Sequence, residues 1–429
     1  MGEASGRSGD GQGTGKLYAS YVLGVLFLVN VFNIIDRSIM GLLVEPVKTE
    51  MALTDTQMGI LTGFAFAAFY LVFGIILARV ADRGSRKLLL TFGIVIWSLA
   101  TAASGLAQDY YSLLAARIAV AIGEAACFPV AMSLIGDYFT KSNRPRAVAV
   151  FQASQFVGII IGLVGIGILA EAYGWRTAFI AVGLPGLLVA LLFFLTVREP
   201  KRGAQDEEAR PAHTNFMASA RTLVGNRTML GLILVMGIGT MGLLTLASWS
   251  PPFLQRIHGL SVGDVGKILG PAIGLPGIIG TVGGGFLASW LVKRTGRDRV
   301  ALLVPLVGLF LSVPAFSMFV FADRLPLAIV GLGLGNMFVS TVFGPIVATT
   351  LSLAAPQMRA LAASFILVSQ NLIGGGLGPY LVGRLSDGLA GSYGVESIRY
   401  ALIVVPAAPF FAALLLAFVY RGTARRAKL

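Results

Sequence analysis

Cysteine is nearly missing: Cys127 is the only one in 429 residues, which excludes an intrachain disulfide and a thiolate metal site. Histidine is almost as scarce. His213 and His258 are the only two, and both are placed in loops, so metal or histidine-base chemistry within an apolar core has no support. Charge is short as well, at 12% of residues against roughly 25% in a typical soluble protein. A soluble chain of this length buries one or two cores but keeps polar faces on its surface helices. The first residues lack the apolar core and small-residue cleavage site of a secretory leader. Residues 1–16, rich in glycine and serine, are expected to form a disordered cytoplasmic tail.

What the chain has in abundance is apolar length. It is 56% hydrophobic, and its apolar stretches reach about 20 residues, enough to cross a bilayer core of about 30 Å. Twelve helical spans are expected near 18–44, 57–78, 88–107, 110–136, 147–170, 177–197, 228–250, 266–291, 300–321, 326–350, 361–383 and 399–420. The fold class is therefore an all-α integral membrane protein. A formal net charge of +13 could suggest nucleic acid, but no basic groove with interleaved aromatics is present. The cations instead gather in the tails and in the loops after even-numbered spans, among them Arg79, Arg83, Arg86, Lys87, Lys293, Arg294, Arg297 and Arg299. The opposite loops hold Lys48, Arg176, Arg256, Lys267, Arg324, Arg384 and Arg399. That asymmetry places both termini in the cytoplasm of a multi-pass inner-membrane protein.

The longest polar interruption, 198–227, reads as a cytoplasmic linker between a six-helix bundle at 17–197 and another at 228–420, with a tail at 421–429. The halves echo each other. The basic loop Asp82-Arg83-Gly84-Ser85-Arg86-Lys87 follows span two, and Lys293-Arg294-Thr295-Gly296-Arg297-Asp298-Arg299 follows span eight. Such internal repeats are expected of carriers that rock two bundles around a central site. Glycines in spans five, eight and eleven suit close helix packing in lipid.

Four charged residues remain inside the spans: Asp36 and Arg37 on span one, Arg117 and Glu124 on span four. Charge in the bilayer is costly, so such groups face the bundle interior and mark ion or substrate pathways. Asp36 and Arg37 lie about 100° apart on a helix and take partners from other helices. Arg117 and Glu124, seven residues apart, share a face about 10 Å apart along the axis. Arg37 can reach toward Glu124 and Asp36 toward Arg117, though sequence leaves the pairing open. Protonating either carboxylate would free an arginine for an anionic group, which makes Asp36 and Glu124 the proton-coupling candidates. Arg37, Arg117 and Glu124 are also substrate-binding candidates. Spans seven to twelve carry no interior charge and contribute only amides such as Asn336, Gln370 and Asn371.

Here the sequence resembles a known family. Asn33-Ile34-Ile35-Asp36-Arg37 and Arg117 with Gly123-Glu124-Ala125 resemble the span-one and span-four motifs of Spinster-type transporters in the major facilitator superfamily. Trp249-Ser250-Pro251-Pro252-Phe253-Leu254 is similar to the end of their span seven. Ala78 and Ala121 stand where the motifs usually have glycine. The resemblance implies two pseudo-symmetric six-helix bundles, alternating access by a rocker switch, and a gating role for Asp82, Arg83, Arg86 and Lys87. It also implies an amphiphilic, lipid-like cargo such as a lysophospholipid or sphingosine-1-phosphate. The expected function is proton-coupled transport by a monomer, without cofactor, metal or nucleic acid, its partners being membrane lipids, protons and the cargo. A carrier of small organic anions is the main rival; an intramembrane enzyme or sensor lacks the nucleophile–base constellation it would need.

Overall fold

Apolar length becomes helix throughout, because a backbone in hydrocarbon must satisfy its own hydrogen bonds. The computed structural model describes residues 10–140, 143–201, 216–355 and 358–426, and its regular structure is entirely helical. Among the described residues, eleven helices are long and apolar enough to cross a membrane: Leu17–Leu42, Asp55–Ala81, Arg86–Ser104, Tyr110–Tyr138, Arg146–Thr196, Arg227–His258, Val262–Thr295, Asp298–Phe321, Leu325–Leu353, Leu361–Ala401 and Val404–Arg421. The fifth of these holds 51 residues. Straight, it would extend about 77 Å, more than twice the bilayer core. It turns back at Gly174, whose φ of 79° lies outside the helical region.

Cross-helix contacts fix the direction of each arm. Asn30 donates to the Ser154 hydroxyl at 2.7 Å, and Gly158 abuts Val31 and Ile34, so residues 154–158 climb beside span one. Tyr18, near the start of span one, donates to the Thr196 carbonyl at 2.9 Å, so the chain has returned by then. The helix therefore supplies spans five and six, and the total is twelve, in two six-helix bundles. The end that holds the termini is called the near end below, and the opposite one the far end. At the far end Trp175 and Arg176, just past the turn, donate to Glu50 at 2.5 and 2.9 Å. Those hydrogen bonds, that of Trp175 foremost, hold the Glu50 carboxyl below its ordinary range.

Several boundaries differ from expectation. Span seven continues through buried Pro251 and Pro252 to His258, so Arg256 and His258 end a helix rather than lie in a loop. The helix of span eleven runs on to Tyr393 instead of stopping near 383. A 3-10 turn at Gly394–Glu396 and the short helix Ser397–Ala401 follow, and the last helix begins at Val404, not 399. Apolar Ile398, Ala401 and Leu402 are fully buried there, which anchors a segment that hydropathy had merged into the last span. The segment expected to link the halves contains a helix at Phe216–Gly225.

The turn at Gly174 is testable in isolation, because a Cβ there would meet nothing within 4 Å. Gly174→Ala is expected to cost about 1–3 kcal/mol through backbone strain alone and to lower the thermal unfolding midpoint. Gly165→Ala, equally uncrowded but helical, is the control and should leave the midpoint unchanged or raise it. Equal midpoints for both variants would contradict the turn.

Candidate transport site and gates

The four interior charges come together, and one of the open pairings closes. Arg37 Nε lies 2.7 Å from Glu124 Oε2, with the Glu124 side chain fully buried and that of Arg37 31% exposed. Asp36 and Arg117 are buried at 2% each, but among the described residues they form no ion pair with each other. Asp36 has Glu124, Arg117 and Thr101 of span three as electrostatic neighbours, and Asn33 stands beside Glu124. Within the described residues, Asp36 Oδ1, Glu124 Oε1, Asn33 Nδ2, Thr101 Oγ1 and both Nε and Nη1 of Arg117 find no hydrogen-bond partner. Spare donors and acceptors of both kinds thus gather in one buried cluster, a composition that suits exchange of polar partners.

Two aromatic rings of span two flank the cluster, and sequence reasoning missed both. The Arg37 guanidinium lies over Tyr70 at 4.6 Å and over Phe66 at 5.1 Å, and Arg117 lies over Phe66 at 5.7 Å. Such cation–π contacts offset part of the cost of desolvating a guanidinium. The available signal was the spacing of Phe66 and Tyr70, four residues apart on one helix face and stacked at 5.7 Å.

Glu124 sits at a break in its span. One helix ends at Glu124 and the next begins at Cys127, because Pro129 has no N–H for the carbonyl four residues back. Gly123 makes the position possible: a Cβ there would lie 2.7 Å from the Gly93 carbonyl oxygen and the Trp97 nitrogen, so spans three and four cross backbone to backbone. The break recurs in the other half. One helix ends at Ser340 and the next begins at Phe343, ahead of Pro345. Each proline follows the last helical residue by five, so neutral, buried Ser340 occupies the place that Glu124 holds in the first half.

The amides of the second half are less free. Asn336, buried, donates to the Ile273 carbonyl at 2.6 Å and so ties span ten to span eight beside Pro276; its Oδ1 is unpartnered among the described residues. Asn371 donates to the Leu367 carbonyl of its own helix at 2.9 Å. Gln370 and Asn371 open a π-helical stretch, Gln370–Leu377, facing another in span two, Ile60–Phe64. Gly63 approaches Gly375 and Pro379 across this contact, and Gly376 approaches Phe64 and Ala67. π turns often accompany functional sites.

At the far end, charges join the two halves. Arg256 of span seven grips Asp55 of span two with two hydrogen bonds of 2.8 Å and Glu45 with a third of 2.6 Å. Lys48 at 2.7 Å and the Ser386 hydroxyl at 2.6 Å also reach Asp55. In return Asp387, from span eleven, accepts the first N–H groups of span two, Asp55 at 3.0 Å and Thr56 at 2.7 Å. It thereby caps a helix of the opposite half. This latch was not foreseen, since its members look like ordinary loop charges until span seven is seen to extend to His258.

At the near end, buried Arg86 binds Glu199 at 2.9 Å, Ser133 Oγ at 2.9 Å, the Pro200 carbonyl at 2.9 Å, and Asp137. Glu199 also accepts the backbone N–H groups of Arg86 and Lys87 at the N-terminus of span three. Burial alone would raise its pKa, but the Lys87 N–H, the Ser85 hydroxyl and Arg86 hold it below the ordinary range. Lys87 lies over Phe194 at 4.9 Å. The side chains of Asp82 and Arg83, expected to gate, lie outside the described residues. The observed near-end cluster joins spans three, four and six within the first half.

Residues 26–379 match the family model of the Major Facilitator Superfamily. The chain belongs to this superfamily. It is 33% identical to an MFS-type efflux pump of Mycolicibacterium smegmatis, over 90% of this chain and 89% of that protein. Protein spinster homolog 1 of Xenopus laevis is 28% identical over 89% of this chain and 76% of its own. A crystal structure of a bacterial homolog to the human lysosomal transporter Spinster, inward-facing and unoccupied, superposes with a TM-score of 0.85 at 28% identity, covering 94% of this chain and 97% of that one. Within the superfamily, the chain is a Spinster-type membrane transporter, not an enzyme.

In this transporter the latch predicts its own release. Truncating one partner of a desolvated ion pair costs about 2 kcal/mol or more, some 30-fold in a two-state ratio. Arg256→Ala should therefore shift the population toward a state open at the far end. Spin labels at Leu106 and Asp323, exposed positions in the two halves, should then report longer distances. An unchanged distance distribution would mean that the latch does not hold the halves.

Proposed function

We propose that this protein is a proton-coupled carrier of amphiphilic anions that works by rocker-switch alternating access. The observation that carries the reading is the Arg37–Glu124 ion pair, its arginine partly exposed and its carboxylate buried, backed by the buried Asp36 and Arg117. An anionic head that takes Arg37 displaces Glu124, and a carboxylate left in that setting gains by taking up a proton. Arginine keeps its charge and can only change partners. Asp36, the second buried carboxylate, is assigned to the same proton path.

The opposite wall of the cavity supports a lipid-like tail. Among the described residues, the second half brings glycines, leucines and a few committed amides to the interface, and its buried interface charge, Arg256, lies in the latch at the far end. A cavity charged on one side and apolar on the other fits a molecule with an ionic head and a hydrocarbon chain. The names of the Spinster relatives agree with membrane transport; the cargo is inferred from the cavity. With the cationic tails and loops at the near end, that end is assigned to the cytoplasm. The latch then closes the outer side, and the arrangement corresponds to the inward-facing state. The transporter is further proposed to act as a monomer in the inner membrane.

Two measurements test this. In proteoliposomes under an imposed pH gradient, Asp36→Asn should lose driven accumulation of a lysophospholipid while keeping cargo counterflow at equal pH; Glu124→Gln should weaken both. Accumulation equal to the parent in both variants would remove proton coupling. In an acyl-chain series, affinity of the purified carrier should rise about fourfold per buried methylene until the pocket is full. Arg37→Ala should weaken phosphorylated amphiphiles more than neutral ones. Affinity that follows head-group charge and ignores tail length would favour a carrier of small organic anions. The orientation has its own test: Leu106→Cys and Asp323→Cys, in a Cys127→Ala background, should label from outside intact cells. Labelling only after permeabilisation would reverse it.

A further inference from the structure

Away from the interface between the halves, spans eight, nine and ten enclose a groove of about 360 Å³ on the membrane-facing surface. Ile279, Leu287 and Leu291 form one wall, Val307 and Leu311 the other, and Met337 and Phe338 lie along the floor. Glycine makes it a groove rather than a flat contact. Gly280, Gly284 and Gly308 bring spans eight and nine against span ten, while a Cβ on Gly283 would project into open space. Its lining is almost wholly apolar. From Ile279 to Leu291 it runs about 18 Å along span eight, close to the depth of one leaflet.

The near-end mouth of the groove is cationic. Leu291 and Leu303 bracket the turn that carries Lys293, Arg294, Arg297 and Arg299. Among the described residues none of these four pairs with a carboxylate, although Asp298 is their sequence neighbour. Arg294 instead lies over the ring of Trp290, 5.2 Å from its centroid, which places a guanidinium and an indole together where head groups meet hydrocarbon. Four unpaired cations above an apolar slot of leaflet depth match one ligand class in charge and in length.

We propose that this groove is a binding site for an anionic phospholipid of the near-end leaflet. One acyl chain lies in the slot between spans eight and nine, and the phosphate is held by Arg294 and its basic neighbours. The site is separate from the cargo chamber, so it does not depend on what the carrier transports. A lipid seated there would brace spans eight and nine against span ten.

Purified carrier in mild detergent tests this with dioleoyl phosphatidylglycerol against dioleoyl phosphatidylcholine, by native mass spectrometry and thermal unfolding. Phosphatidylglycerol should stay bound and raise the unfolding midpoint well beyond phosphatidylcholine. Gly283→Phe and Val307→Phe, which fill the slot from its two walls, should each remove that difference; if one fails to fold, the other decides. Arg294→Gln with Arg297→Gln should weaken binding about 25-fold, some fivefold per charge near the surface. Arg37→Ala should leave it unchanged. Equal effects of the two lipids, full retention in the slot-filling variants, or loss in Arg37→Ala would overturn the site. So would glycerol phosphate, which has no chains, binding as well as the lipid.

Discussion

A charge within hydrocarbon has to be paired, wetted or neutralised, and in this protein that requirement falls on Glu124. The carboxylate is fully buried, at a helix break made by Pro129, and one guanidinium, Arg37, reaches it. Much of the first half serves that contact. Gly93 and Gly123 let spans three and four cross closely enough to seat it, Phe66 and Tyr70 shelter the guanidinium, and Asn33 borders the carboxylate. An ion pair assembled this way is poised between two satisfied states. In the proposed cycle either the arginine holds the carboxylate, or it holds an external anion and the carboxylate holds a proton. The repeated break at Ser340 offers no such alternative, which is why the coupling chemistry is assigned to one half alone.

The gate follows from a second charge arrangement with a different exposure. At the far end the carboxylate of Asp55 meets Arg256, Lys48 and Ser386, and Asp387 caps the helix that carries Asp55. Asp55 and Arg256 are largely desolvated, but Lys48 and Glu45 beside them at the helix ends are partly exposed, so the latch can part toward water rather than into hydrocarbon. Below it the halves meet through glycine contacts and facing π turns, surfaces that slide or separate with little side chain to move. Strong pairing that can be wetted, above weak packing that can glide, is the combination a rocking carrier needs.

Most of this was readable in the chain for physical reasons that differ by element. Span number came from apolar length, which the bilayer imposes on any sequence, while the sign of loop charge carries the proposed orientation. Asp36, Arg37, Arg117 and Glu124 stood out because intramembrane charge is rare, and the Arg37–Glu124 pair was among the open pairings. The latch was invisible, since Arg256 and Asp55 sit near span ends where charge is ordinary, and Pro251-Pro252 concealed the last turns of span seven. Phe66 and Tyr70 escaped notice because aromatic residues crowd every membrane helix. Nothing local marks the rings that happen to face a guanidinium.

The central claim is that anion and proton occupy the Arg37–Glu124 site together. It is tested most directly by calorimetric titration of the purified carrier with a lysophospholipid phosphate in buffers of different ionisation enthalpy. The slope of observed heat against buffer enthalpy gives the protons exchanged per cargo bound. The proposed cycle predicts uptake of about one proton in the parent and none in Glu124→Gln, with binding still measurable in that variant. Binding that exchanges no proton in the parent, or the same number in Glu124→Gln, would contradict it.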